Sequence, residues 1–317
     1  DGVAVVADMT VTFGALKTGL VCGEGAIRAG DLRLVDIGLG PYLAESPSRV
    51  LEAADVAELV PPPGPTDDKY TRGVVGVIAG SPQYGGAGVL ATGAALHGGA
   101  GMVRYLGLAP EQIRARYPEV VVHAVSGRAA IRPRDVQVQS WVIGPGLGTG
   151  PDAAALLAEV LAVEVPVIVD ADAITVLARE PGMLHGRTAP TVLTPHDREF
   201  NRLPTDLDAD RVGSARRAAA ELGVILLLKG DATVVAGPDG SVYVNRTGTP
   251  WLGTAGSGDV LSGLIGALLA RGLHATLAAA AGAYLHGVSG QLAASAGPPT
   301  ASDVLASLRA ALHAVRR

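Results

Sequence analysis

The stretch Gly253-Thr254-Ala255-Gly256-Ser257-Gly258-Asp259 decides how the rest of the chain is read. Small residues lead straight into a strongly apolar run, residues 260–269, which predicts a buried helix opening at a glycine-rich turn. The free N–H groups of a helix's first turn, together with the positive end of its dipole, form an anion site. Glycine lets the backbone approach phosphate oxygens with no Cβ in between. Asp259 is then placed to take a proton from a substrate hydroxyl. The competing explanation is that Ser257 or Asp259 merely caps the helix. Capping does not account for Gly253, Gly256 and Gly258 together, so a nucleotide-phosphate site with its catalytic carboxylate is the expectation.

The residues before this turn follow one rhythm. Apolar runs at 74–78, 140–143, 165–169, 191–193 and 224–228 read as buried strands, separated by helical segments such as 86–97, 153–162 and 214–222. That alternation predicts an α/β fold with a doubly wound, mostly parallel sheet flanked by helices. Residues 233–236 and 242–245, joined through Pro238-Asp239-Gly240, predict a short antiparallel edge hairpin. Ligands of open α/β sheets bind beyond the carboxyl ends of the strands. Each predicted strand end carries a polar or glycine-rich cluster.

Those clusters differ in what they signal. Gly144-Pro145-Gly146-Leu147-Gly148 lacks the spacing of a dinucleotide fingerprint, and a tight turn explains it equally well. Thr194-Pro195-His196-Asp197-Arg198-Glu199 brings a histidine and two carboxylates to a strand end. His196 reads as a ligand contact, and Glu199 as a residue that reaches a metal through water; a solvated first helical turn is the alternative for the acids. Lys229-Gly230-Asp231-Ala232-Thr233 suits a phosphate or a nucleotide flank, and equally a β-turn with charges in solvent. Asp170 and Asp172 are able to hold Mg²⁺ through water, or to cap a helix starting at Ala173.

Composition narrows the class. The chain has 317 residues, 48% hydrophobic and 3% aromatic, with a net charge of −5 and no long run of either sign. This speaks against non-specific nucleic-acid binding and against a polybasic membrane anchor. The most apolar helical stretch is broken by Ser262, Gly263 and Gly266 and falls short of the roughly 20 residues a bilayer requires. Cys22 is the single cysteine, the N-terminus has no basic signal region, and a cytoplasmic enzyme is the expectation. Pro61-Pro62-Pro63-Gly64-Pro65 marks a stiff linker over residues 61–68. Residues 1–60, with strand-like pieces at 3–7 and 32–37, are too few for an α/β domain of their own and read as the end of a domain that begins upstream.

Taken together, the motifs from Ala79-Gly80-Ser81 and Gly85-Gly86-Ala87-Gly88 through Gly256-Ser257-Gly258-Asp259 resemble the ADP-dependent NAD(P)H-hydrate dehydratases, a branch of the ribokinase-like superfamily. The resemblance covers residues 69–317. Residues around Ala7-Asp8-Met9-Thr10, with Lys17 and Gly19-Leu20, resemble the end of the NAD(P)H-hydrate epimerase domain that is often fused ahead. There the aspartate matching Asp8 contacts hydrated nucleotide near a potassium site, so K⁺ is expected only at this incomplete portion.

The resemblance implies a repair lyase that dehydrates hydrated NADH or NADPH, with ADP or ATP as co-substrate, Mg²⁺ bridging the phosphates and a homotetramer as the assembly. It implies that Ala87, Gly146, Gly148, His196 and Asp259 contact the hydrated dinucleotide. Lys229, Gly230, Asp231, Ala232, Thr233, Gly256, Ser257 and Gly258 would contact the adenine nucleotide, and Asp259 would be the catalytic base. The runner-up is a kinase of a hydroxymethylpyrimidine or hydroxyethylthiazole vitamin precursor. A catalytically silent nucleotide sensor is the reading from another class.

Overall fold

In the computed structural model, which describes residues 3–123 and 131–316, the apolar runs form one large sheet. Its strands in chain order are β3 (Ser48–Arg49), β4 (Val74–Ile78), β5 (Met102–Tyr105), β6 (Val121–Val122), β7 (Ser140–Ile143) and β8 (Val167–Val169). They continue with β9 (Thr191–Leu193), β10 (Ile225–Leu228), β11 (Thr233–Ala236) and β12 (Val242–Asn245). The spatial order is β3-β12-β11-β10-β9-β8-β7-β4-β5-β6. From β6 to β10 every pairing is parallel, while β11 runs antiparallel to both β10 and β12. The expected hairpin therefore forms, although β3 pairs in parallel along the outer side of β12.

The strands are apolar throughout because both faces are covered. Val75 and Val77 point into one core layer with helices α4 (Gly85–His97), α10 (Ser257–Ala270), α11 (Ala275–Ala294) and α12 (Ala301–Ala314). Val74 and Ile78 point into the other, with α6 (Pro151–Leu161), α7 (Asp172–Arg179) and α9 (Arg211–Leu222). None of the described helices is long and apolar enough to cross a membrane.

The first sixty residues divide differently from the expectation. A two-stranded parallel sheet, β1 (Met9–Phe13) with β2 (Asp31–Val35), holds residues near the start, so the strand falls at 9–13 rather than at 3–7. Helices α1 (Thr18–Val21) and α2 (Glu24–Arg28) connect these strands. Beyond them, β3 joins the large sheet, and helix α3 (Ala53–Leu59) buries Val56 completely in its core, as does Val60 just after it. The proline run is tethered too. Arg271 Nη2 donates to the Pro61 carbonyl at 2.7 Å, and Arg316 Nη2 to that of Val60 at 2.9 Å.

Candidate active site

The turn at 253–259 takes the shape expected of it. Gly256 is the N-cap of α10 with φ 91°, a left-handed conformation that glycine adopts freely. No side chain caps the helix. The Ser257 hydroxyl instead donates to the Leu252 carbonyl at 2.6 Å, and Asp259 sits in the first turn. Capping is thus not what these residues do, and the leading amides of α10 are not taken up by a side-chain cap.

Four strand ends converge in front of this turn. The Lys229 ammonium, at the end of β10, donates to Asp170 Oδ1 at 3.0 Å and lies 3.8 Å from Glu199 Oε2. Asp170 follows β8, is only 1% exposed, and accepts a second bond from the Ser262 hydroxyl of α10 at 2.7 Å. Gly258 completes the group, since a Cβ built on it would stand 3.4 Å from the Lys229 nitrogen. The capping role read for Asp170 is corrected. Its oxygens are committed to a buried lysine and a buried hydroxyl, and Ala171 rather than Asp170 is the N-cap of α7. Asp172 does not cap that helix either: its Oδ2 accepts the Gly148 amide at 2.8 Å and so fixes the glycine turn after β7.

His196 and Glu199 cap the short helix α8 (Asp197–Phe200) reciprocally. The Glu199 amide donates to His196 Nδ1 at 3.2 Å, and the His196 amide to Glu199 Oε2 at 2.9 Å. His196 is 49% exposed at its side chain and Glu199 only 9%, so the imidazole faces outward from a buried carboxylate. Ala87 lies in the first turn of α4, packed so close to Gly146 that a Cβ there would come within 2.9 Å of the Ala87 methyl. Asp231 is exposed, Ala232 is buried and Thr233 opens β11. Asp8, also exposed, lies at the start of β1.

This arrangement raises the pKa of two groups, keeping one neutral and the other charged. Burial first, and then the Asp170 charge, raise the Asp259 carboxyl to about 7; Lys229 opposes, while Asp172 and Glu199 add to the rise. Burial works against the Lys229 charge, but Asp170, Glu199 and Asp259 outweigh it and raise its pKa above the ordinary value. A base poised near neutrality beside a permanent cation suits proton abstraction next to an anionic group.

Three features were not found from sequence. Ser262 is one; nothing local marks it as a partner of a residue 92 positions away. His286 on α11 is another: it is buried against the Ser257 backbone, and burial lowers its pKa to about 4, which keeps it neutral. The third is Ala171, with φ 50° between the two aspartates, a strained conformation for a residue with a side chain. Strain of that kind at a site usually holds neighbouring groups in place.

Comparison with known proteins fits this geometry. The profile of the NAD(P)H-hydrate dehydratase family matches residues 75–308. The chain belongs to this family. A relative from Mycobacterium leprae, a bifunctional NAD(P)H-hydrate repair enzyme, is 50% identical over 321 residues, covering 99% of this chain and 65% of its own length. The chain thus spans somewhat less than two thirds of that relative. The crystal structure of an ADP/ATP-dependent NAD(P)H-hydrate dehydratase from Bacillus subtilis, co-crystallised with ATP and Mg²⁺, superposes with a TM-score of 0.77 at 28% identity. It covers 84% of this chain and 98% of the other. A hydroxyethylthiazole kinase from Pyrococcus horikoshii shares the fold at a TM-score of 0.53 and 16% identity. The fold is ribokinase-like, as expected.

Proposed function

We propose that this chain dehydrates hydrated NADH and NADPH at the expense of ADP or ATP. The observation that carries the proposal is Asp259: a carboxyl held near neutral pKa at the first turn of α10, beside the Lys229 cation. In the first step the ring hydroxyl oxygen attacks the terminal phosphorus of the nucleotide. Asp259 takes the hydroxyl proton, a P–O bond forms to the ring oxygen, and the bond to the departing nucleotide breaks. The amides of the Gly256–Gly258 turn, with Lys229, would stabilise the charge that develops on the transferring group. In the second step the C–O bond breaks towards phosphate, the ring nitrogen supplies electron density, the adjacent carbon loses its proton and the ring double bond returns. Phosphate leaves, and no oxidant or reductant is consumed.

On this reading Ala87, Gly146, Gly148 and His196 line the hydrated dinucleotide. Lys229, Gly230, Asp231, Ala232 and Thr233 flank the adenine nucleotide. The donor set bears on the metal. Among the described residues no group of three His, Cys, Asp or Glu side chains is placed to hold an ion. That fits Mg²⁺ carried on phosphate oxygens and water, with Glu199 reached through water, because magnesium in nucleotide sites takes few protein ligands. Such an ion, when bound, neutralises phosphate charge. The cytoplasm and a homotetramer complete the proposal; light scattering of the purified protein checks the assembly. Residues 1–60 are proposed to be the end of an epimerase-like domain, with β3 and α3 packed on the large sheet, and K⁺ is proposed only at that incomplete portion.

The test is incubation of the protein with hydrated NADH, Mg²⁺ and either ADP or ATP. The dihydronicotinamide absorbance should return while phosphate is released. Folded protein that restores nothing with either nucleotide, or that phosphorylates a hydroxymethylpyrimidine or hydroxyethylthiazole instead, would overturn the proposal.

A further inference from the structure

Arg211 opens α9 in a position where helix physics disfavours it. A cation at the first residue of a helix meets the positive end of the dipole. Its side chain nevertheless is only 14% exposed. The guanidinium is held by two tethers. Nη1 lies 2.9 and 3.0 Å from the two oxygens of Asp197, the first residue of α8, and Nη2 donates to the Lys229 carbonyl at 2.9 Å. The group also abuts Gly230, where a Cβ would approach Nη2 to 2.6 Å. The following residues, Asp231, Ala232 and Thr233, are those assigned above to the adenine nucleotide. Asp197, at the other end, is the neighbour of His196, assigned to the hydrated dinucleotide.

The loops after β9 and β10 are joined in two other ways. The Lys229 amide donates to the Pro195 carbonyl at 2.8 Å, and the Lys229 ammonium pairs with Asp170 near Glu199. Neither of these reaches Gly230 or the residues after it. Arg211 is what supports the loop, and its rigid fork is what allows one side chain to serve a carbonyl and a carboxylate together.

We propose that Arg211 is a positioning residue that locks the loop Lys229-Gly230-Asp231-Ala232-Thr233 to the His196 turn, so that affinity for the adenine nucleotide depends on its guanidinium and on Asp197. The inference rests on the assignment of that loop to the nucleotide. Replacing the fork with the point charge of lysine keeps the cation and removes the double attachment. Removing a hydrogen bond to a charged group at such a position corresponds to about a tenfold loss of affinity.

The experiment measures ADP and ATP Kd by calorimetry, together with kcat and both KM values, for the wild type, Arg211→Lys, Arg211→Met, Asp197→Asn and the double variant R211K/D197N. Arg211→Lys should raise the nucleotide Kd and KM about tenfold, leave kcat at saturating nucleotide within about twofold, and raise the KM for hydrated NADH less. Asp197→Asn should shift the same constants in the same direction, and the double variant should be no worse than Arg211→Lys alone, because the two groups act as one unit. Nucleotide Kd values within about twofold of wild type in both Arg211 variants, or additive effects in the double variant, would overturn the inference, whatever the change in Tm. Wild-type protein that binds neither ADP nor ATP ends this inference and the functional reading together. Protein that binds nucleotide but restores no hydrated NADH ends only the functional reading, and the Kd series still judges Arg211.

Discussion

Asp259 is the residue at which stability and function oppose one another. Its folded pKa is raised to about 7 from an ordinary 3.8. Between those values the folded protein holds a proton that the unfolded chain has released, so stability falls as pH rises through the window. Asp259→Asn removes that liability: its Tm should match the wild type below about pH 4, exceed it increasingly up to about pH 7, and keep a constant lead above that. The same variant should still bind ADP while recovery of NADH largely disappears; a variant that recovers NADH normally would show that the base lies elsewhere. Asp170 supplies part of the upward push on Asp259. In Asp170→Asn the acid limb of kcat/KM should move to lower pH, and stability should fall by about 3 kcal/mol because a buried ion pair loses one partner. Urea unfolding and a pH–rate profile read both effects. An acid limb that stays in place would remove Asp170 from the electrostatics of the base.

At the scale of elements, the strands of the large sheet were legible because burial on both faces leaves uninterrupted apolar runs ending in polar or glycine clusters. The turn into α10 was legible for a related reason: glycines sit beside an apolar helix whose first turn keeps its amides uncapped. What stayed hidden depends on partners far away in the chain. Ser262 reads as a break in an apolar helix until Asp170 is placed beside it, and nothing local marks Arg211 as a partner of Asp197 and the Lys229 carbonyl. Glycine in β4 shows the same dependence. Gly76 pairs with Trp141 of β7 in register, and the indole ring occupies the space a Cβ at 76 would need. Overpacking of that kind costs about 1–3 kcal/mol, and here the obstacle is a large, fully buried ring. Gly76→Val should therefore lower stability by at least about 2 kcal/mol and perturb Trp141 fluorescence; unchanged fluorescence and Tm would mean that the ring has room to move.

At the scale of the whole molecule, the boundary read from the proline run and the boundary set by packing are different. Prolines mark where helix and strand cannot continue, but they say nothing about which core the preceding residues enter. Ser48-Arg49 adds a strand to the outer side of β12, and Val56 and Val60 are fully buried in the layer that carries α10. Burying two valines stabilises by about 3 kcal/mol, and β12 without β3 would present an open edge to other chains. A chain beginning at Pro47 keeps all of this and gives up mainly Leu16, Val21 and Cys22, which pack against the opposite layer. A chain beginning at Lys69 loses the strand, both valines and the carbonyls that Arg271 and Arg316 hold. The shorter chain should unfold about 3 kcal/mol more easily than the one starting at Pro47 and aggregate more readily, as urea titration and light scattering would record. Equal stability of the two would return residues 48–60 to the N-terminal unit and leave the ribokinase-like sheet complete without them.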